Sequence, residues 1–113
     1  MRKKRDLRGS GELRHKIDIE TFDETVNDFG EVKQSWKVFK TTWAKILPKT
    51  AKEFMSGDKE TSALTHKVVV RYISGVLPNM RIKFKERVFE VHAPINFEEK
   101  NEYLLILCKE IVL

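Results

Sequence analysis

The chain has 113 residues and a mass of 13.3 kDa, the size of one domain. It is 41% apolar and 35% charged, and no apolar run approaches the roughly 18 residues that a membrane span needs. The formal net charge is +5, and the single Cys108 excludes an internal disulfide and a multi-cysteine zinc site.

A folded chain of this size buries about 65% of its unfolded surface, enough for one modest core. The excess charge is local. Residues 1–16 carry Arg2, Lys3, Lys4, Arg5, Arg8, Arg14 and Lys16 against Asp6 and Glu12, which accounts for all of it. No apolar stretch follows the opening cations, which argues against a secretory signal, and the lone thiol suits a reducing compartment. In the neutral remainder the charges fall in blocks. Asp18, Glu20, Asp23, Glu24, Asp28 and Glu31 come without a basic residue, and Lys33, Lys37, Lys40, Lys45 and Lys49 come next without an acid. Each block repels itself and attracts its opposite, either as a solvated face or on a neighbouring copy.

Residues 1–11 hold Gly9 and Gly11 around Ser10 and have no periodicity. They read as a flexible basic arm ahead of a single domain at 12–113. From Leu13 an alternation begins, with His15, Ile17, Ile19 and Thr21 on one face and Arg14, Lys16, Asp18 and Glu20 on the other. That period belongs to a half-buried strand. Residues 22–34 are polar and contain the turn formers Asn27, Asp28 and Gly30, so they read as a long loop. Trp36, Val38, Trp43, Ala44, Ile46 and Leu47 mark a second strand region that breaks at Pro48. Thr50 and Glu53 fit a capping box and Gly57 a left-handed stop, which predicts a short helix with Phe54 and Met55 as its docking pair.

The second half is strand after strand. Val68, Val69 and Val70 are apolar on both faces, as for an interior strand, and Gly75, Pro78 and Asn79 form the next turn. Ile82 and Phe84 alternate with Arg81, Lys83 and Lys85; a tight turn at Lys85 and Glu86 leads to a return strand with Phe89 and Val91 inward. Residues 94–102 read as a second acid-rich loop, and residues 103–108 as a buried closing strand. The count is five or six strands and one short α-helix with no βαβ spacing, so the fold is mainly β and antiparallel. Closure into a small β-barrel with long loops removes exposed edges with the least chain.

Chemistry is sparse. His15, His66 and His92 lie in different strand regions, none with a second ligand at metal spacing. Cys108, inside an apolar run, reads as a small buried hydrophobe and not a nucleophile. The acidic run fails as a calcium loop, because Phe29 precedes Gly30 and Trp36 stands where the bidentate Glu belongs. No phosphate-cradling glycine motif or nucleophile turn is present, so no enzyme, cofactor or metal is expected. Arg2, Lys3, Lys4 and Arg5 are candidate phosphate contacts, although the aromatic residues are not interleaved with cations as a stacking platform requires.

The order of signals resembles the phage head–tail joining family, the head-closure or stopper proteins of long-tailed bacteriophages. The resemblance runs over residues 12–110. It rests on Arg14, His15, Lys16 and Ile17, then Asp28 and Gly30, Trp36, and the run Trp43, Ala44, Lys45 and Ile46. Glu53, then Val70, Arg71 and Tyr72, residues 80–84 and 87–91, and the closing residues 104–110 complete it. The sequence departs at Glu86, where such chains often have Gly, and in the basic extension before residue 12.

The resemblance implies a ring of copies beneath the portal and adaptor of a DNA-filled head, closing the exit channel and later receiving the tail. The implied partners are other copies, portal and adaptor proteins, and tail-completion or tail proteins, with packaged DNA nearby and no membrane. The implied location is the virion neck, assembled in the host bacterial cytoplasm. A long loop toward the ring axis would be the gate, with residues 22–35 the first candidate: Phe22, Asp23, Glu24, Asp28, Phe29, Gly30 and Glu31. Asp18 and Glu20 against Lys33, Lys37, Lys40 and Lys45 are the candidate subunit interface. The alternatives are a small barrel that binds nucleic acid through its arm, or a neighbouring neck component such as a tail-completion protein.

Overall fold

The computed structural model describes residues 13–50 and 63–112. Among these residues six strands run in chain order: β1 (His15–Val26), β2 (Val32–Pro48), β3 (His66–Arg71), β4 (Arg81–Phe84), β5 (Arg87–Asn96) and β6 (Tyr103–Ile111). A single 3₁₀ turn, Phe97–Glu99, separates the last two. The strands hydrogen-bond in the order β1-β2-β3-β6-β5-β4, every pair antiparallel, and β4 returns to β1 to close the barrel.

The alternation read from the sequence decides what fills it. Ile17, Ile19, Val68, Val70, Ile82, Phe89, Val91, Ile106 and Cys108 are all within 2% of complete burial, and Ala44 brings β2 into the same cluster. A six-stranded barrel is narrower than the eight-stranded size at which side chains just fill the interior, so these side chains leave no room for a channel. Each large one contributes on the order of 1.5–3 kcal/mol by leaving water. β3, between β2 and β6, buries Val69 on its other face as well, as expected of an interior strand.

Three local expectations are corrected. Residues 22–34 are not a long loop: β1 and β2 run through them, and the connection is residues 27–31. The strands were hidden because this stretch has no core face, so its polar composition imitates a loop. A bulge at Ile19 and Glu20 shifts the register and leaves Phe39 as the extra residue on β2. The Phe39 ring lies where a side chain at Gly75 would reach, 3.0 Å from a Cβ there, and Gly75 has φ +92°, so both space and backbone require glycine.

The second acid-rich loop is shorter than expected, since β5 continues to Asn96. Pro94 is tolerated there because β4 starts opposite Glu90 and the backbone bonds on that side of β5 stop at Val91, leaving Pro94 without a ladder partner there. In the β4–β5 turn the left-handed residue is Lys85, with φ 55°, so the position that favours glycine precedes Glu86. The expected helix at residues 50–57 lies largely outside the described residues. Among the described residues no helix is long and apolar enough to cross a membrane.

Candidate functional site

β1 pairs with β4 only at Asp18, Ile19 and Glu20, and β2 pairs with β3 only from Ala44 onward. Between these limits residues 21–26 and 32–37 pair with each other alone. They form a two-stranded ribbon that leaves the barrel and, at about 3.3 Å per residue, extends roughly 20 Å. Phe22, Val26, Phe29, Val32 and Val38 are exposed along it. Directly opposed residues share a face, so Phe22 with Trp36 and Val26 with Val32 line one side. The other side carries the ion pair between Lys37 Nζ and Asp23 Oδ2 at 2.8 Å.

The tip is shaped by one side chain. Asn27 Oδ1 accepts the backbone N–H groups of Phe29 and Glu31, both at 2.9 Å, while Asn27 N–H donates to the Glu31 carbonyl at 3.0 Å. Gly30 closes the turn at φ +80°. The result holds Asp28 and Phe29 outward, and Phe29 is 87% exposed. An isolated phenylalanine at that exposure is held in water by a structured turn, so its display is built into the fold.

The base of the ribbon is tied to the barrel. Glu20 is buried, and its Oε1 accepts from Arg81 Nε at 2.6 Å. The Arg81 guanidinium lies over the Trp36 ring at 4.3 Å, and Trp36 meets Phe22 edge-on at 5.1 Å. β4, β1 and β2 thus meet in one stack of Glu20, Arg81, Trp36 and Phe22. Sequence reading placed Arg81 as one more outward cation. The β1–β4 pairing that brings it to Glu20 leaves no local signal in the sequence.

The structure redistributes the candidate residues. Of the gate candidates, Asp28, Phe29, Gly30 and Glu31 form the tip, whereas Phe22, Asp23 and Glu24 lie in β1 and not in a loop. The strands that carry the acid and cation blocks pair within one chain, and although Lys33, Lys37 and Lys40 stand directly opposite Thr25, Thr21 and Ile19, Lys37 reaches diagonally to Asp23. Glu20 and Lys37 are committed to Arg81 and Asp23, and Asp18 accepts the Thr41 hydroxyl at 2.7 Å. Lys33 and Lys40 stay exposed, and Lys45 is half-buried. Arg2, Lys3, Lys4 and Arg5 lie outside the described residues.

A second polar cluster sits where β3 begins and β6 ends. Thr65 Oγ1 accepts the Glu110 N–H at 2.7 Å and lies 2.8 Å from His66 Nδ1, and Arg87 Nε donates to Glu110 Oε2 at 2.8 Å. The His66 ring stands edge-on to Phe89 at 5.0 Å. Burial holds His66 below its ordinary 6.5, with Arg87 adding to the effect against the pull of Glu110. The hydrogen bond from Arg87 holds Glu110 below the usual carboxylate range. Burial pushes the Cys108 thiol up to about 12, so it stays protonated at neutral pH. Among the described residues no three His, Cys, Asp or Glu side chains converge on a common point.

Both His66 and Glu110 bind protons less readily folded than unfolded, so each contributes stability that is present above its unfolded value and lost as pH falls. The melting temperature should therefore drop from pH 7.5 to 5 as His66 is forced to protonate, and again below the ordinary Glu range. His66→Gln should flatten the first step, as thermal unfolding followed by circular dichroism will test.

The chain matches the sequence pattern of phage head completion proteins over residues 9–111. No curated protein matches it. Among solved structures, the solution structure of protein SF1141 from Shigella flexneri 2a is 28% identical and aligns with a TM-score of 0.74, covering 90% of this chain and 96% of that one. A chain from the virion of the native gene transfer agent particle aligns with a TM-score of 0.61 at 17% identity, covering 88% of this chain and 96% of its own, a likeness of fold. The family pattern takes in both the barrel and the ribbon that leaves it, and the chain belongs to the phage head completion protein family.

Proposed function

We propose that copies of this chain form a ring beneath the portal and adaptor of a packaged head, close the DNA exit channel and offer a docking face to the tail. The observation that carries the reading is the ribbon. A closed barrel needs no such extension for its own stability, and this one ends in an ordered turn displaying Phe29 beside Asp28 and Glu31. Around a ring, tips of this kind meet near the axis, where their phenylalanines cluster and their carboxylates repel DNA phosphates. The role is a structural one, which membership of the phage head completion family supports. Lys33, Lys40 and Lys45 of β2, with Asp18 of β1, remain candidates for contacts within the neck. A virion component of this kind is assembled in the cytoplasm of the host bacterium.

The test is electron microscopy of DNA-packed heads made without this protein. They should empty, and adding the purified full chain before the heads are isolated should keep them filled. Heads that stay full without the protein end the closure reading.

A further inference from the structure

A hollow of about 520 Å³ opens on the outer wall of the barrel, at the seam where β4 closes against β1. Lys16, Lys83 and Lys85 wall it, with Asp18, Glu20 and Thr41. Glu20 is taken by Arg81 and Asp18 by the Thr41 hydroxyl. Lys85 lies over the Phe84 ring at 5.2 Å, while Lys16 and Lys83 have no ion-pair partner among the described residues. Three ammonium groups gathered on β1, β4 and the β4–β5 turn repel one another, and an anionic occupant relieves that repulsion.

The wall also fixes the kind of anion. A phosphodiester strand is negative throughout and would set phosphates against Asp18. A peptide with spaced carboxylates and a cation between them fits the mixed lining better. The chain carries such a segment elsewhere on its surface. Residues 97–102, linking β5 to β6, present Glu98, Glu99 and Glu102 around Lys100. Lys100 pairs with Glu98 at 3.0 Å, whereas Glu99 and Glu102 have no cationic partner among the described residues. The Asn96 side chain holds the loop, accepting the Asn101 N–H at 3.0 Å and donating to Asn101 Oδ1 at 2.7 Å. The hollow reaches Lys83 and Lys85 at the turn where β5 begins, whereas the loop follows Asn96 at the other end of β5, so the two features occupy different places on one copy. Two different, complementary faces are what a head-to-tail ring contact requires.

We propose that the acidic β5–β6 loop of one copy seats in the hollow walled by Lys16, Lys83 and Lys85 on the next copy. The inference rests on the ring reading and gives it its subunit contact. The test is a charge exchange in the full chain. Lys16→Glu with Lys83→Glu, and separately Glu99→Lys with Glu102→Lys, should each lower self-association in sedimentation equilibrium and the number of copies per purified head by tenfold or more. Combining all four should restore both to within about threefold of wild type, and thermal unfolding of each variant should confirm that it folds. Wild-type behaviour of either pair alone, or no recovery in the combination, overturns the proposal. So does loss of DNA retardation in the lysine variant with the glutamate variant unaffected, which would make the hollow a phosphate site. The closure reading fails separately: if heads lacking the protein stay full but the exchange still rescues self-association, the contact stands without the gate.

Discussion

Replacing Arg81 by alanine is expected to destabilise the domain by about 3 kcal/mol, roughly a hundredfold in the folding equilibrium and the lower end of the cost of removing one partner from a buried pair. Glu20 is 8% exposed, and Arg81 is the cation it meets, at 2.6 Å. Alanine leaves that carboxylate buried without a counter-charge and also removes the guanidinium from the Trp36 ring. The melting temperature should fall by more than 10 °C, given about 4 °C or more per kcal/mol for a domain near this size. The near-ultraviolet signal of Trp36 should weaken as the ribbon loosens from the barrel. The paired change Glu20→Gln with Arg81→Met should recover most of the loss, because it removes both charges together. A single variant within 1 kcal/mol of wild type would mean that Glu20 finds water or another donor, and that the stack does not anchor the ribbon.

The same pair marks the limit of what the sequence discloses. Wherever a strand has a core face, the period of two is visible: the spacing of Ile17 and Ile19, Ile82 and Phe84, and Phe89 and Val91 points each of them inward, and Phe84 alone is not fully buried. Val68, Val69 and Val70 announce an interior strand through the absence of any polar face. The ribbon has no such signal. Its strands are held by pairs such as Lys37 with Asp23 and Gln34 with Glu24, which need a partner strand before they mean anything, and a run of polar residues with Asn27 and Gly30 reads as loop. The same shortfall bears on the charge blocks. Opposite blocks adjacent in sequence fold back on each other once the turn between them is tight, so part of what could have joined two copies is consumed within one. The tip that carries the proposed gate residues is legible because Asn27, Asp28 and Gly30 are turn formers wherever the turn begins. Arg81 is not, because contacts 61 residues apart leave no trace in local spacing.

Shortening the ribbon tests the proposed gate apart from the barrel. Residues 25–33 pair only with one another or form the tip, so replacing them by Asn-Gly, a preferred two-residue hairpin turn, should leave the six-strand closure and the Glu20–Arg81 tie intact. The melting temperature should stay within a few degrees of wild type, and the variant should still be incorporated into heads. DNA retention should nevertheless fall to that of heads lacking the protein, because the shortened arms no longer reach one another. Phe29→Ser should give an intermediate loss, since it removes the apolar contact between tips while keeping their length and charge. Asp28→Asn with Glu31→Gln should matter less, because screening at cellular ionic strength confines the carboxylates to about 8 Å of effect. This order of severity, length first, then the phenylalanine, then the charge, distinguishes a steric and apolar plug from an electrostatic barrier. Full retention by the shortened ribbon would remove the gate assignment from residues 22–35 altogether, whatever holds the ring together.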